Sequence, residues 1–324
     1  MCGTKVNQSS QPAKQGEKGH TILRVASFDY MRLFAMGLVT VQHALSVTGH
    51  YDKTTWQGVN IGQVGVGMFC ALSGYLAFWG GLSSPWSWLR RRLEQLFPAY
   101  WIVTILSFGL TWFAGTKQIS WSLFISQMLG TGYFTHGWDL VNVVSWFISL
   151  ILLCYLVGAV AKFLKQVRLV LVAVVCLSAG FLFAKEEVDL SRHVLTFALA
   201  GLIAYGGMRP KKTFLMTTIF LLLSIFISMQ FIYATLGLFL LAVALSWRAP
   251  ESEPIRLAST YTYEFFLVHG LFLVAFARLM PISAIASVIL AVGVAAVTAV
   301  LLHRMTKRIY DATATYLWPR PSSV

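Results

Sequence analysis

The sequence predicts an all-α integral membrane protein, a bundle of about ten transmembrane helices. Three observations carry that prediction. Hydrophobic residues make up 57% of the 324 and charged residues only 11%, where a soluble domain carries about 25% charged residues; the mean hydropathy is +0.70. The apolar runs are long and continuous, without the period-two alternation of a membrane barrel. The basic residues gather in alternate connecting segments, as they do in the cytoplasmic loops of membrane helices.

Taken in chain order, residues 1–20 are polar and read as a disordered cytoplasmic tail. The membrane domain covers 21–310, and 311–324 is a short C-terminal tail. Spans are expected near 28–49, 61–82, 98–115, 143–161, 168–184, 194–208, 214–229, 231–247, 260–279 and 282–303. The stretch 119–134 is apolar but short, with Trp121, Gln127 and Tyr133, and is expected to lie in the interface or to re-enter. With the N-terminus inside, most of the 25 Lys and Arg fall in inside segments. Lys53, Lys117, Lys185, Arg192 and Arg278 fall outside, and Arg32 lies within the first span. This bias puts both termini in the cytoplasm. It also accounts for the net charge of +13, so no nucleic-acid partner is inferred. Cys2, Cys70, Cys154 and Cys176 show neither CxxC nor Cys/His ligand spacing, so no metal site or disulfide framework is expected.

The first span concentrates the chemistry. Ser27 is expected to cap it, with Asp29 in the first turn. Asp29, Arg32 and His43 follow one another in FDYMRLFAMGLVTVQH. Arg32 and His43 are 11 residues apart, which is about three helical turns plus 20° and a rise of about 16 Å. They therefore share a face, and Asp29 adjoins Arg32. Ionisable groups inside a bilayer usually face a bundle interior or a water cavity. A snorkelling Arg32 paired with Asp29, and a His43 bonding a neighbouring helix, would be the purely structural alternative. Histidine is suited to removing a hydroxyl proton near neutral pH.

The same segment resembles the membrane-bound acyltransferase-3 family, whose first helix opens with Asp-x-x-Arg and then places a His eleven residues after the Arg. Three further stretches fit in order. GVGMFCALSGYL (Gly65 to Leu76) resembles the second-helix pattern, WLRRRLEQLFPAYW (Trp88 to Trp101) the Arg-rich turn ending in Pro-x-Tyr, and TYTYEFFLVHGL (Thr260 to Leu271) the late Tyr-x-x-Tyr-Leu-x-His segment. The resemblance covers roughly 24–310. It implies an acyl-CoA donor, usually acetyl-CoA, bound from the cytoplasm as a substrate. It implies an acceptor hydroxyl on a cell-surface polysaccharide or lipid-linked glycan, and residence in a bacterial cytoplasmic membrane. It further implies that His43 is the catalytic histidine and Arg32 its partner, with Asp29 in the same constellation. One departure stands in SWFISLILLCYL (Ser145 to Leu156): Leu150 and Ile151 occupy positions where some members carry an acid, so no acid is assigned from that helix.

Other residues are weighed on their chemistry. Arg90, Arg91 and Arg92 suit the phosphates of coenzyme A, although basic loops also anchor to lipid headgroups. Pro98 is expected to open the third span. Gly65, Gly67, Ser73 and Gly74 read first as a surface for close helix packing, with Ser73 and Gly74 as candidates for lining a narrow channel for the donor's arm on the functional reading. Trp146, Glu264 and His269 are further candidates for the site lining. A transporter or flippase of a glycan or lipid-linked precursor is the rival function; it calls for internal repeats and broken helices, and no repeat is evident.

Overall fold

A computed structural model describes residues 25–56, 59–80, 84–115, 117–280 and 283–317. The expected tail at 1–20 lies outside them. The described chain is a helical bundle. Among the described residues, nine helices are long and apolar enough to cross a membrane. They are α2 (Ile61–Phe78), α3 (Pro85–Ala114), α6 (Trp146–Phe163), α7 (Val167–Ala184), α8 (Val188–Tyr205), α9 (Pro210–Ile227), α10 (Met229–Ser246), α12 (Thr262–Leu279) and α13 (Ala284–Leu317). The first helix, α1 (Ala26–Val47), is as long but carries Asp29, Arg32 and His43. With its 22 residues it measures about 33 Å at 1.5 Å per residue, so it completes the ten expected spans.

Several boundaries depart from expectation for physical reasons. The helix α3 starts well before residue 98, so Arg90, Arg91 and Arg92 sit in its early turns and Pro98 lies inside it rather than at its start. There, the missing N–H leaves the Glu94 carbonyl without its helical partner. The segment WLRRRLEQL is rich in strong helix formers, which carries the helix through the charged stretch. Likewise α13 runs on to Leu317, into the stretch expected to be a tail. Ser27 is not the cap of α1; it lies in the first turn and donates from Oγ to the Ala244 carbonyl of α10 at 2.6 Å.

Between α3 and α6 lie two short helices, α4 (Trp121–Met128) and α5 (Gly132–His136). The eight residues of α4 are too few to cross a bilayer. Side-chain hydrogen bonds pin its end: from α3, Tyr100 donates to the Gln127 carbonyl and Trp101 Nε1 to the Met128 carbonyl at 2.8 Å, and Gln127 Nε2 of α4 itself donates to Ser145 Oγ at 2.8 Å. A short amphipathic helix, α11 (Glu253–Thr260), precedes α12. After α1 comes a 3-10 turn at Tyr51–Thr54 and a two-stranded antiparallel pair, β1 (Thr55–Trp56) and β2 (Val59–Asn60).

Close helix packing sets the centre of the bundle. A Cβ on Gly74 would come within 2.1 Å of the Phe197 carbonyl oxygen in α8, and one on Gly65 within 2.5 Å of the Ala35 carbonyl oxygen in α1. Only glycine lets α2 approach both neighbours so closely, the usual device where membrane helices touch along their backbones.

Candidate functional site

Among the described residues, two cavities gather polar side chains of α1. The larger, about 690 Å³, is basic. Arg32 of α1, Arg91 and Arg92 of α3 and Lys307 of α13 line it, with Glu94, Glu264, His303 and the phenols of Tyr155, Tyr263 and Tyr310 as the other titratable groups and Ser73 on the wall. Its size falls within the roughly 300–1,000 Å³ of small-molecule sites. The Arg32 guanidinium donates to Asp29 Oδ1 at 2.9 Å. That oxygen also accepts from Ser259 Oγ at 2.8 Å, and Asp29 is only 3% exposed. Asp29 lines neither cavity; it aims Arg32 and ties α1 to α11. Arg92 lies 5.8 Å from the Trp88 ring and 6.0 Å from that of Tyr155, positions suited to cation–π contact. Arg90 is not on the lining and pairs instead with Glu94 at 2.5 Å. Glu264 Oε1 lies 2.8 Å from His303 Nδ1, and its Oε2 is buried without a hydrogen-bond partner.

The second cavity, about 460 Å³, holds His43. Gln42 and Ser46 of α1, Asn60 and Gln63, Trp138 and Trp146, Asp189 and Arg192 of α8, and Tyr233 of α10 share its lining. The 3-10 turn and the strand pair cover one end through Tyr51 and Asn60. The His43 ring meets that of His269 edge to face, with centroids 5.2 Å apart. His269 is fully buried behind it and lines neither cavity. Its Nδ1 donates to the Phe266 carbonyl at 2.7 Å, and its Nε2 is buried with no partner. Trp146 lies 5.3 Å, centroid to centroid, from Trp138 and 6.0 Å from His193.

Arg32 and His43 therefore serve different cavities along one helix, rather than a single continuous track. Ser73, Glu264, Arg91 and Arg92 join the Arg32 cavity, and Trp146 joins the His43 cavity. Gly74 lines neither; it is a packing residue against α8. Phe266 is on the wall of both cavities.

Sequence reasoning missed a buried polar cluster in α8. Arg192, expected in an outer loop, lies inside that helix and is 5% exposed. It donates to Gln230 Oε1 at 2.9 Å and to Asp189, and stands 4.7 Å from the Tyr233 ring. His193 beside it is fully buried, with Nε2 2.7 Å from Gln63 Oε1. The spacing of Asp189 and Arg192, three apart, is the signal that was available: such a pair faces one side of a helix and masks its own charge. Lys307 and Tyr310 were expected beyond the last span, which ended at His303, and extension of α13 brings them to the basic cavity beside His303.

Chemically, the first cavity can hold an anionic ligand, and the second presents an imidazole beside hydrogen-bonding groups and indole faces. No curated protein and no solved structure matches the chain. The family model described as an acyltransferase domain matches residues 25–304, nearly the whole chain. The chain belongs to the acyltransferase-3 family and is a membrane acyltransferase.

Proposed function

We propose that the protein moves an acyl group, acetyl in the simplest case, from acetyl-CoA to a hydroxyl of a cell-surface polysaccharide or lipid-linked glycan. On this reading the basic cavity opens to the cytoplasm of a bacterial cell, consistent with the inside bias of Lys and Arg. The CoA phosphates rest on Arg91, Arg92 and Lys307, since a guanidinium binds phosphate through a planar fork of donors. Arg32, held by Asp29, orients the donor or offsets negative charge as it develops. The acceptor comes to the other cavity, where the indoles of Trp138 and Trp146 offer faces to a sugar ring. The hydroxyl oxygen bonds to the thioester carbonyl carbon and the C–S bond breaks. The hydroxyl proton passes to His43, and the departing thiolate takes up a proton.

The observation that carries this reading is the pairing, in one bundle, of a cation-rich cavity with a histidine-lined one that abuts it. The test is transfer of label from acetyl-labelled acetyl-CoA to candidate glycans by purified protein. General acid–base catalysis contributes about 10²–10⁴-fold, so His43→Ala is expected to lose that much of the rate, and Arg32→Ala to transfer poorly. Undiminished transfer by both variants would refute the assignment.

A further inference from the structure

The two cavities adjoin across α2, α6 and α12. Neighbouring residues on the same helix face opposite ways: on α6, Trp146 lines the His43 cavity and Phe147 the basic one. On α2, Val66 faces the His43 cavity and Phe69, one turn on, the basic cavity. On α12, Phe266 borders both. The Phe147 and Phe266 rings are 4.9 Å apart at their centroids, and those of Phe69 and Phe147 6.3 Å. Three helices thus contribute one aromatic side chain each to the wall of the basic cavity, and Phe266 is on the wall of the His43 cavity as well.

We infer that Phe69, Phe147 and Phe266 form a septum that admits the donor's thioester to His43 while excluding water, and that Phe266 is its positioning residue. The inference rests on the acyl-transfer reading above. A thioester reaching His43 faces two nucleophiles, the acceptor hydroxyl and water. Attack by water forms a C–O bond to the same carbonyl carbon, breaks the C–S bond, and releases free acid and CoA thiol. Apolar constrictions hold back water by dewetting, and keeping water from a reactive group suppresses such side reactions. Phe266 also supplies the carbonyl that accepts from His269 Nδ1, and its ring lies 5.7 Å from that of His269. Phe266 of the septum and His269, the partner of the His43 ring, are therefore on the same turn of α12.

The test compares native protein with Phe266→Ala and Phe266→Leu in liposomes loaded with a pH-sensitive dye. Thiol release from acetyl-CoA without acceptor is measured on the same preparations. Phe147→Ala, which opens the layer from α6, serves if Phe266→Ala does not fold. The alanine variants are expected to raise both proton leak and CoA release several-fold, with Phe266→Leu near native in both. A native-level leak in both alanine variants overturns the septum. A raised leak with CoA release unchanged overturns its role against water. Native protein that neither binds acetyl-CoA nor transfers label overturns the acyl-transfer reading and this protective role with it, whatever the leak.

Discussion

His43 and Arg192 illustrate the two ways a charged or titratable residue sits within this bundle. Both line the second cavity; His43 presents its imidazole there, whereas the Arg192 guanidinium is held by Asp189, Gln230 and the Tyr233 ring. Removing one partner of a fully buried ion pair costs about 3–5 kcal/mol; the Asp189 side chain is 33% exposed, so its removal is expected to cost less, through the charge it leaves on buried Arg192. Asp189→Asn is therefore expected to lower the melting temperature in detergent clearly, and the double variant Asp189→Asn with Arg192→Gln to recover part of the loss. Equal melting of the single variant and native protein would mean that the pair carries no stability. Lys162 gives the opposite expectation. It is 3% exposed, its Nζ has no hydrogen bond, and it lies 5.1 and 5.3 Å from the rings of Phe78 and Trp88. Cation–π contact is worth about 0.5–2 kcal/mol, against a desolvation penalty of several kcal/mol, so Lys162→Met is expected to melt no lower than native. At this scale the sequence revealed Arg32 and His43, because ionisable residues one face apart stand out in an apolar run. It hid Arg192 and Lys162, because a charge at the edge of a span looks the same whether it faces water or turns inward.

At the scale of elements, the spans were legible from hydropathy, and their ends were not. Hydropathy marks where a helix meets lipid; hydrogen bonding decides where it stops. The arginine-rich start of α3 and the basic end of α13 remain helical beyond the apolar stretch, and that continuation brings Arg91, Arg92 and Lys307 to one cavity. The small residues of α2 were correctly marked as special, yet their spacing did not distinguish lining from packing. Ser73 lines the basic cavity while its neighbour Gly74 abuts the α8 backbone. Gly74→Val would drive a side chain into a carbonyl oxygen that a Cβ alone already meets at 2.1 Å. Overpacking a tight contact costs about 1–3 kcal/mol or more. The variant is expected to express poorly or melt well below native, and Ser73→Ala to melt as native does. Normal melting of Gly74→Val would contradict the close approach of α2 and α8.

Across the whole molecule, the proposed function gives each cavity one side of the membrane, the donor inside and the acceptor outside. The 34 residues of α13 span about 51 Å, more than the roughly 30 Å of hydrocarbon, so its end projects beyond the lipid near the basic cavity. In right-side-out vesicles, Tyr51→Cys is expected to react with an impermeant maleimide and Tyr310→Cys to remain unlabelled until the membrane is opened. The reverse pattern would invert the assignment of donor and acceptor sides. The division of labour between the cavities is tested most directly by measuring acetyl-CoA binding and acyl transfer on the same preparations of His43→Ala and of Arg91→Ala with Arg92→Ala. His43→Ala should bind acetyl-CoA with native affinity and transfer almost nothing, while the double arginine variant should bind it far more weakly. Loss of binding in His43→Ala equal to its loss of transfer, or native binding by the arginine variant, would contradict the account.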